Sequence, residues 1–125
     1  MARPKNNNLT DTELEIMRIL WNDSPLKVAE VLEKIQKSPK PAYTSLMTVL
    51  QTMVQKKYLE AKKVGKAYHY SPLIQKDHTF LQEFKKISRN FFNGSHSDLV
   101  MNLVNNEELT KEEIKEIQLL LEKKL

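Results

Sequence analysis

The chain has 125 residues, of which 40% are hydrophobic and 29% are charged, so it can build one small domain with an appended segment. It contains no cysteine, which excludes disulfides, zinc sites with thiolate ligands and cysteine nucleophiles. No apolar run approaches the roughly 20 residues of a membrane span, and the N-terminus lacks the apolar core of a secretory signal. We therefore expect a cytoplasmic protein with no membrane insertion.

The formal net charge of +4 is unevenly distributed along the chain. Residues 1–73 contain 12 Lys and Arg against 7 Asp and Glu, whereas residues 74–125 contain 8 against 9. The positive charge therefore belongs to the first part, where it favours an anionic partner. We predict two domains with different roles, divided between residues 73 and 74.

Apolar residues at helical spacing predict three helices in the first part of the chain. The first helix begins at a capping box, in which the side chains of Thr10 and Glu13 each bond a free backbone N–H. Polar residues 1–8 before it are predicted to form a flexible arm. Its apolar stripe is predicted to contain Leu14, Met17, Leu20 and Trp21. The three predicted helices cover residues 11–22, 26–37 and 42–56.

After the third helix the hydrophobic period changes from about 3.6 to about 2, which is typical of strands. Residues 58–63 and 67–71 are predicted strands, joined by a turn in which Gly65 can adopt positive φ. Tyr68 and Tyr70 share one strand face, and we expect them to pack on the helices rather than to stack on bases. Three helices followed by a hairpin predict a winged helix-turn-helix domain, whose third helix lies in the major groove of DNA.

The non-apolar face of the third helix is small, polar and almost uncharged. Hydroxyl and amide groups can bond base edges, and methyl groups of Met and Thr can contact thymine methyls. A solvated helix face usually carries many Lys and Glu, so we favour a DNA-facing surface here. The predicted base-reading residues are Thr44, Ser45, Met47, Thr48, Gln51 and Thr52.

Lysines are concentrated in and just before the predicted hairpin, where only one acid occurs, and they are Lys56, Lys57, Lys62, Lys63 and Lys66. Lysine contacts to phosphates supply salt-dependent affinity without sequence information. A solubilising cluster is the alternative, but the neighbouring helix-turn-helix favours DNA. The predicted phosphate contacts are Lys62, Lys63 and Lys66.

The second part is predicted to be helical, with a long helix at 74–92, a short helix capped by Ser97 and a last helix that starts at a second capping box of Thr110 and Glu113. Its apolar surface is too large for so few residues to bury alone, which favours a homodimer. Folding back onto the first domain is the alternative. The predicted dimerisation residues are Phe80, Phe84, Ile87, Phe91, Leu99, Leu103, Ile114, Ile117 and Leu121.

No constellation of residues in the sequence supports catalysis, a metal or a cofactor. His69, His78 and His96 are dispersed and lack the spacing of a metal site. No Gly-rich phosphate loop is present. Acidic pairs near residues 107 and 112 lie beside helix caps, where acids favour a helix N-terminus. We therefore predict that the chain is not an enzyme.

Five motifs occur in order along the chain. They are L-T-x-x-E-x-x-I-M-x-I-L-W from Leu9, P-A-Y-T-S from Pro41, K-x-Y-x-Y-S-P-L from Lys66, S-D-L-V-M-N-L-V from Ser97 and E-x-L-T-x-E-E-I-x-E-I from Glu107. With these motifs in this order, about residues 9–124 resemble the penicillinase and methicillin-resistance repressors, the BlaI/MecI/CopY family. The combination is specific, although each motif alone would be weak.

The resemblance implies a homodimer that binds a palindromic DNA operator and represses transcription. It also implies induction by proteolysis through a membrane-bound sensor metalloprotease, and the family's scissile Asn-Phe bond aligns with Asn102 and Leu103. The family often has Arg in the second half of the third helix and Gly just past its end. Thr52 and Lys57 stand there instead, so we expect a different operator and a different helix ending. The cysteine motif of the copper-responsive branch is absent.

Two other functions are compatible with the same sequence. A winged-helix regulator controlled by a small-molecule ligand would show a ligand-dependent change in operator affinity. A winged-helix protein–protein interaction module would show no steep salt-dependent binding to duplex DNA. A hydrolase is a remote alternative.

Overall fold

The computed structural model describes residues 9–125, which form six helices and a two-stranded antiparallel sheet. The predicted arm at residues 1–8 lies outside the described residues. The mainly helical class with one small β-hairpin is confirmed. The elements are α1 (Asp11–Asn22), α2 (Val28–Lys34), α3 (Tyr43–Gln55), β1 (Leu59–Val64), β2 (Ala67–Pro72), α4 (Lys76–Phe92), α5 (His96–Asn105) and α6 (Lys111–Lys124).

α1 begins at the predicted capping box. The Thr10 hydroxyl accepts from the Glu13 N–H at 3.1 Å, and the Glu13 carboxylate accepts from the Thr10 N–H at 3.0 Å. Leu14 belongs to the predicted apolar stripe but is 37% exposed, because it lies at the edge of the face that α1 buries. The buried apolar residues of α1 are Ile16, Met17 and Leu20.

α2 is shorter than predicted at both ends because the flanking backbone bonds to other elements. Leu26 pairs with Tyr70 of β2, with N–H to carbonyl distances of 3.1 Å and 2.8 Å in the two directions. Beyond the C-terminal end of α2, the Glu15 carboxylate accepts hydrogen bonds from the backbone N–H groups of Gln36 and Lys37. The helix therefore covers Val28–Lys34 rather than residues 26–37.

α3 is slightly shorter than predicted and ends in a left-handed residue, Lys57, with φ of 70°. The Lys57 N–H donates to the Val54 carbonyl at 3.0 Å, and the Tyr58 N–H donates to the Met53 carbonyl at 2.9 Å. These two bonds define a Schellman ending, in which glycine is the usual left-handed residue. The expectation of a different helix ending is therefore wrong, since Lys57 adopts the conformation that glycine favours.

β1 and β2 form the predicted hairpin, with Leu59 opposite Pro72 and Val64 opposite Ala67. Both strands extend one residue beyond their predicted C-terminal ends. Gly65 lies in the turn with φ of 65°, a region that L side chains rarely adopt. The hairpin thus has the tight turn that the sequence predicts.

One hydrophobic core joins α1, α2, α3 and the hairpin. The Trp21 indole N–H extends this connection, because it donates to the Ile74 carbonyl at 2.9 Å and so ties α1 to the segment after β2. Burying these side chains holds α3 against its neighbours and leaves its other face exposed. The core residues are Ile16, Met17, Leu20, Leu26, Val28, Val31, Ile35, Leu46, Leu50, Met53, Tyr58, Leu59 and Tyr70.

The chain separates into two compact units, one ending at Gln82 and the other comprising Glu83–Leu125. The division lies inside α4, beyond the predicted boundary after residue 73. The second unit therefore contains the C-terminal part of α4 together with α5 and α6.

Within the second unit, α5 is capped by Ser95, whose hydroxyl accepts from the Asp98 N–H at 3.1 Å. The predicted cap at Ser97 is wrong, because α5 begins at His96 and places Ser97 inside its first turn. The Ser88 hydroxyl of α4 is buried and lies 2.8 Å from Nδ1 of His96, which links α4 to α5. α6 begins at the predicted second capping box.

Candidate nucleic-acid interface

The polar face of α3 lies on the surface, opposite the core. The Thr48 hydroxyl donates to the Thr44 carbonyl at 3.1 Å, so its oxygen can still accept a bond from a base. Met47 and Thr52 are half-buried at the two edges of this face. The predicted base-reading residues that are exposed are Thr44, Ser45, Thr48 and Gln51.

A groove of about 420 Å³ lies between α3, the hairpin and the start of α2. Met47 and Gln51 line it from α3, and Lys66 lines it from the turn of the hairpin. Two predicted base-reading residues and one predicted phosphate contact therefore border the same cleft.

Tyr43 and Lys27 also line the groove and were not among the predicted DNA contacts, and Tyr68 lines it although it was expected to pack on the helices. Tyr43 precedes Met47 and Gln51 at four-residue spacing, so extending the helical face by one turn would have identified it. Lys27 could not have been found this way, because only the tertiary fold brings the start of α2 to the groove.

The hairpin lysines are exposed, as a phosphate-binding surface requires. Lys63 lies 6.0 Å from the ring centroid of Tyr68, its cross-strand partner. The Lys62 ammonium lies 3.9 Å from the Glu60 carboxylate, so part of its charge is balanced within β1. Lys66 lies at the turn and borders the groove.

The two tyrosines of β2 differ in burial. Tyr70 is buried in the core, and this burial raises the pKa of its hydroxyl. Tyr68 is 51% exposed, so the expectation that both tyrosines pack on the helices is wrong for Tyr68. The reason is geometric: both side chains are on one face of the hairpin, but Tyr68 lies nearer the turn, where the face borders the groove instead of the core.

Lys56 does not belong with the hairpin lysines. Its ammonium donates to the Glu13 carboxylate at 2.8 Å, and the Glu13 side chain is almost fully buried. This hydrogen bond raises the pKa of Lys56 above its usual value of 10.5. Lys56 therefore differs from the hairpin lysines in having a buried partner, although its own side chain is 42% exposed.

The predicted dimerisation residues are mostly exposed in the single chain. Leu99 is buried and Phe84 is half-buried. Phe84 lies edge-on to the His96 ring, with 5.1 Å between ring centroids. The most exposed of the set is Phe91, at 77%. The other exposed members are Phe80, Ile87, Leu103, Ile114, Ile117 and Leu121.

Asn102 and Leu103, the predicted cleavage residues, lie in the second half of α5 and are exposed. The Asn102 carbonyl, which belongs to the Asn102–Leu103 peptide bond, accepts from the Asn106 backbone N–H at 3.0 Å and from its side-chain amide at 2.9 Å. The same side-chain amide also donates to Oδ1 of Asn102 at 3.1 Å. The peptide bond is therefore accessible but held in helical geometry.

Across residues 9–125, no cluster of three or more His, Cys, Asp or Glu is placed to hold a metal ion. In the same range, no helix is both long and apolar enough to cross a membrane.

The fold and this surface define a winged helix-turn-helix DNA-binding protein. The solution structure of the DNA-binding domain of the repressor BlaI has the same arrangement: it aligns with a TM-score of 0.51 at 27% identity and covers 59% of this chain and 90% of that one. The model of the penicillinase repressor family matches residues 9–123, and the chain therefore belongs to that family.

Two relatives illustrate the similarity along the whole chain. The penicillinase repressor of Bacillus licheniformis is 30% identical over 121 residues, which cover 91% of this chain and 89% of the relative. The methicillin resistance regulatory protein MecI of Staphylococcus aureus is 25% identical over 120 residues, which cover 96% of this chain and 98% of the relative. The chain is thus a DNA-binding repressor, a regulator rather than an enzyme.

Proposed function

We propose that the chain acts in the cytoplasm as a homodimeric repressor of a palindromic operator, and that proteolysis within α5 relieves repression. In this proposal α3 reads bases in the major groove, while Lys63 and Lys66 of the hairpin contact phosphates. Lys62 contributes less than they do because Glu60 lies 3.9 Å away. The groove between α3 and the hairpin accommodates the DNA backbone between these two sets of contacts.

The observation that carries the dimer is the exposure of α6. Each of its residues is exposed, although Ile114, Ile117 and Leu121 form an apolar stripe on one face. Apolar stripes of this length are normally buried against another element, and a second copy of α6 supplies a complementary stripe. α5 also exposes apolar side chains, among them Val100, Met101 and Leu103.

Dimerisation has a direct consequence for DNA binding. Two linked DNA-binding units engage two half-sites about one DNA turn apart, and linkage can raise the affinity by about 10²–10⁴-fold over one half-site. Loss of the dimer therefore lowers operator affinity by the same factor without any change at the DNA-binding surface.

Cleavage at Asn102–Leu103 would have this effect, since it separates α6 from the DNA-binding unit. Because the Asn102 carbonyl is held by Asn106, a protease must act on a locally opened α5. A membrane-bound sensor metalloprotease is the partner that the family resemblance implies. The relatives, a penicillinase repressor and a methicillin resistance regulatory protein, favour antibiotic-resistance genes as the genes under control.

The test is a binding titration with the duplex upstream of the chain's own gene and a scrambled duplex, at two salt concentrations. We expect a strong preference for the upstream duplex, with two protomers per site and a steep salt dependence. Equal weak binding to both duplexes would contradict the proposal and favour a protein-binding module. A preference that depends on an added small molecule, without cleavage, would favour a ligand-controlled regulator.

A further inference from the structure

A buried carboxylate lies where the first helix meets the end of α3. Glu13 is only 4% exposed, and its two oxygens have separate partners. One oxygen accepts from the Thr10 N–H at 3.0 Å, and the other accepts from the Lys56 ammonium at 2.8 Å. A buried charge is tolerated when it is paired and hydrogen-bonded in this way.

Lys56 sits at the C-cap of α3, directly after the helix that carries the predicted base-reading residues. Its ammonium also lies 5.7 Å from the ring centroid of Tyr58, a core residue. The backbone directly after Lys56 is constrained, because Lys57 is left-handed and the Tyr58 N–H bonds back to Met53. The end of α3 is therefore held by one ion pair and one Schellman ending.

We propose that the Glu13–Lys56 pair positions α3 for sequence reading, and that Lys56 is not a phosphate contact. The proposal rests on the proposed function of α3 as the DNA-reading helix. If Lys56 turned to a phosphate, it would leave the buried Glu13 carboxylate without its counter-charge, which is unfavourable. A small rotation of α3 shifts its base contacts, so loss of the pair affects discrimination more than general attraction to DNA.

The decisive variant is Glu13→Gln, which keeps a side-chain oxygen for the Thr10 N–H but removes the charge that holds Lys56. The variant frees a lysine and makes the chain more positive. A phosphate role for Lys56 therefore predicts equal or tighter binding to any duplex. The positioning role predicts that preference for the upstream duplex over a scrambled one falls by about tenfold, comparable to one lost base contact, while the salt dependence stays as in the wild-type chain.

Lys56→Met and Lys56→Arg provide a second test that does not depend on Glu13→Gln folding. We expect Lys56→Met to reduce the preference for the upstream duplex over the scrambled one without changing the salt slope. Lys56→Arg should retain this preference because a guanidinium can also bond Glu13. Lys66→Met is the matched reference, in which one lysine of the groove is removed and the salt slope falls by about one per protomer. Circular dichroism and thermal unfolding would establish that each variant is folded at the assay temperature.

The outcomes separate this inference from the proposed function. Tighter binding by Glu13→Gln, or a lowered salt slope in Lys56→Met with equal loss on both duplexes, would overturn the positioning role alone. Absence of any preference in the wild-type chain would overturn the DNA-reading function and the positioning role together.

Discussion

At the scale of single residues, three non-glycine residues just after helices, Lys57, Asn93 and Glu107, adopt the left-handed conformation, and the first and last of them share one hydrogen-bonding pattern. Lys57 follows α3 with φ of 70°, and Glu107 follows α5 with φ of 58°. Each N–H donates to the carbonyl three residues earlier, to Val54 and Val104 respectively. The left-handed conformation costs an L residue about 1–2 kcal/mol, which glycine avoids. Both positions therefore store a small amount of conformational free energy.

We expect Lys57→Gly to stabilise the folded chain by up to about 1 kcal/mol, because relief of the left-handed strain exceeds the entropy that glycine adds to the unfolded chain. The change would be measured as an increase in the urea midpoint of unfolding at constant slope. Lys57→Ala is the control, since it removes the same charge but keeps the strained geometry. Equal stabilisation by both variants would attribute the effect to charge and contradict the geometric explanation.

A second prediction at this scale concerns how variants of the α3 polar face and of the hairpin lysines change DNA binding. Lys66→Ala should weaken binding to all duplexes alike and lower the salt slope, and Lys62→Ala should do the same to a smaller extent because Glu60 lies nearby. Thr48→Ala and Gln51→Ala should instead change base preference by about 1–3 kcal/mol at a constant slope. Unchanged binding in all four variants would refute the placement of α3 and the hairpin on DNA.

At the scale of elements, α5 combines exposure with local restraint. The Asn102 carbonyl accepts two hydrogen bonds from Asn106, and the Leu103 carbonyl accepts from the Glu108 N–H at 3.0 Å. Proteases bind extended peptides, so cleavage requires these bonds to break first. The cutting rate thus reports the free energy of opening the last turns of α5.

We expect Asn106→Ala to accelerate cleavage within α5 by about fivefold, since it removes side-chain hydrogen bonds worth about 1 kcal/mol. The measurement is digestion of the full chain with thermolysin, a zinc protease that cuts before leucine, with fragments identified by mass spectrometry. Asn105→Ala is the matched control at the neighbouring exposed position. If both variants are cut at the wild-type rate, Asn106 does not limit opening of α5.

At the scale of the whole molecule, the two units differ in how their apolar residues are accommodated. The first unit buries its apolar side chains in a core of α1, α2, α3 and the hairpin. The second unit leaves most of its large apolar side chains exposed, and α6 buries none. The excess of Lys and Arg over Asp and Glu also lies in the first unit, within residues 1–73.

We expect Leu121→Asp to dissociate the proposed dimer, because it places a charge in the apolar stripe of α6. Sedimentation should shift from dimer to monomer, and operator affinity should fall by about 10²-fold or more while binding to one half-site is unchanged. Lys123→Asp, on the opposite face of α6, introduces the same side chain and should leave the dimer intact. A Leu121→Asp chain that remains dimeric would place the interface elsewhere.

Periodicity and local hydrogen-bonding patterns sufficed for the class of fold and for the starts of α1 and α6. The capping boxes at Thr10 and Thr110 were predictable because they involve residues only three positions apart. The same holds for the polar face of α3, since helical spacing places its residues together whatever surrounds the helix.

Only the tertiary structure decided features that depend on distant partners. α2 is short because Leu26 bonds to β2, and the Lys56 ammonium is paired because the buried Glu13 carboxylate lies beside it. Tyr68 is exposed while Tyr70 is buried, since the core ends between them along the hairpin. Local sequence determines which conformations a segment favours, whereas long-range contacts determine which polar groups are already satisfied and which remain available to DNA.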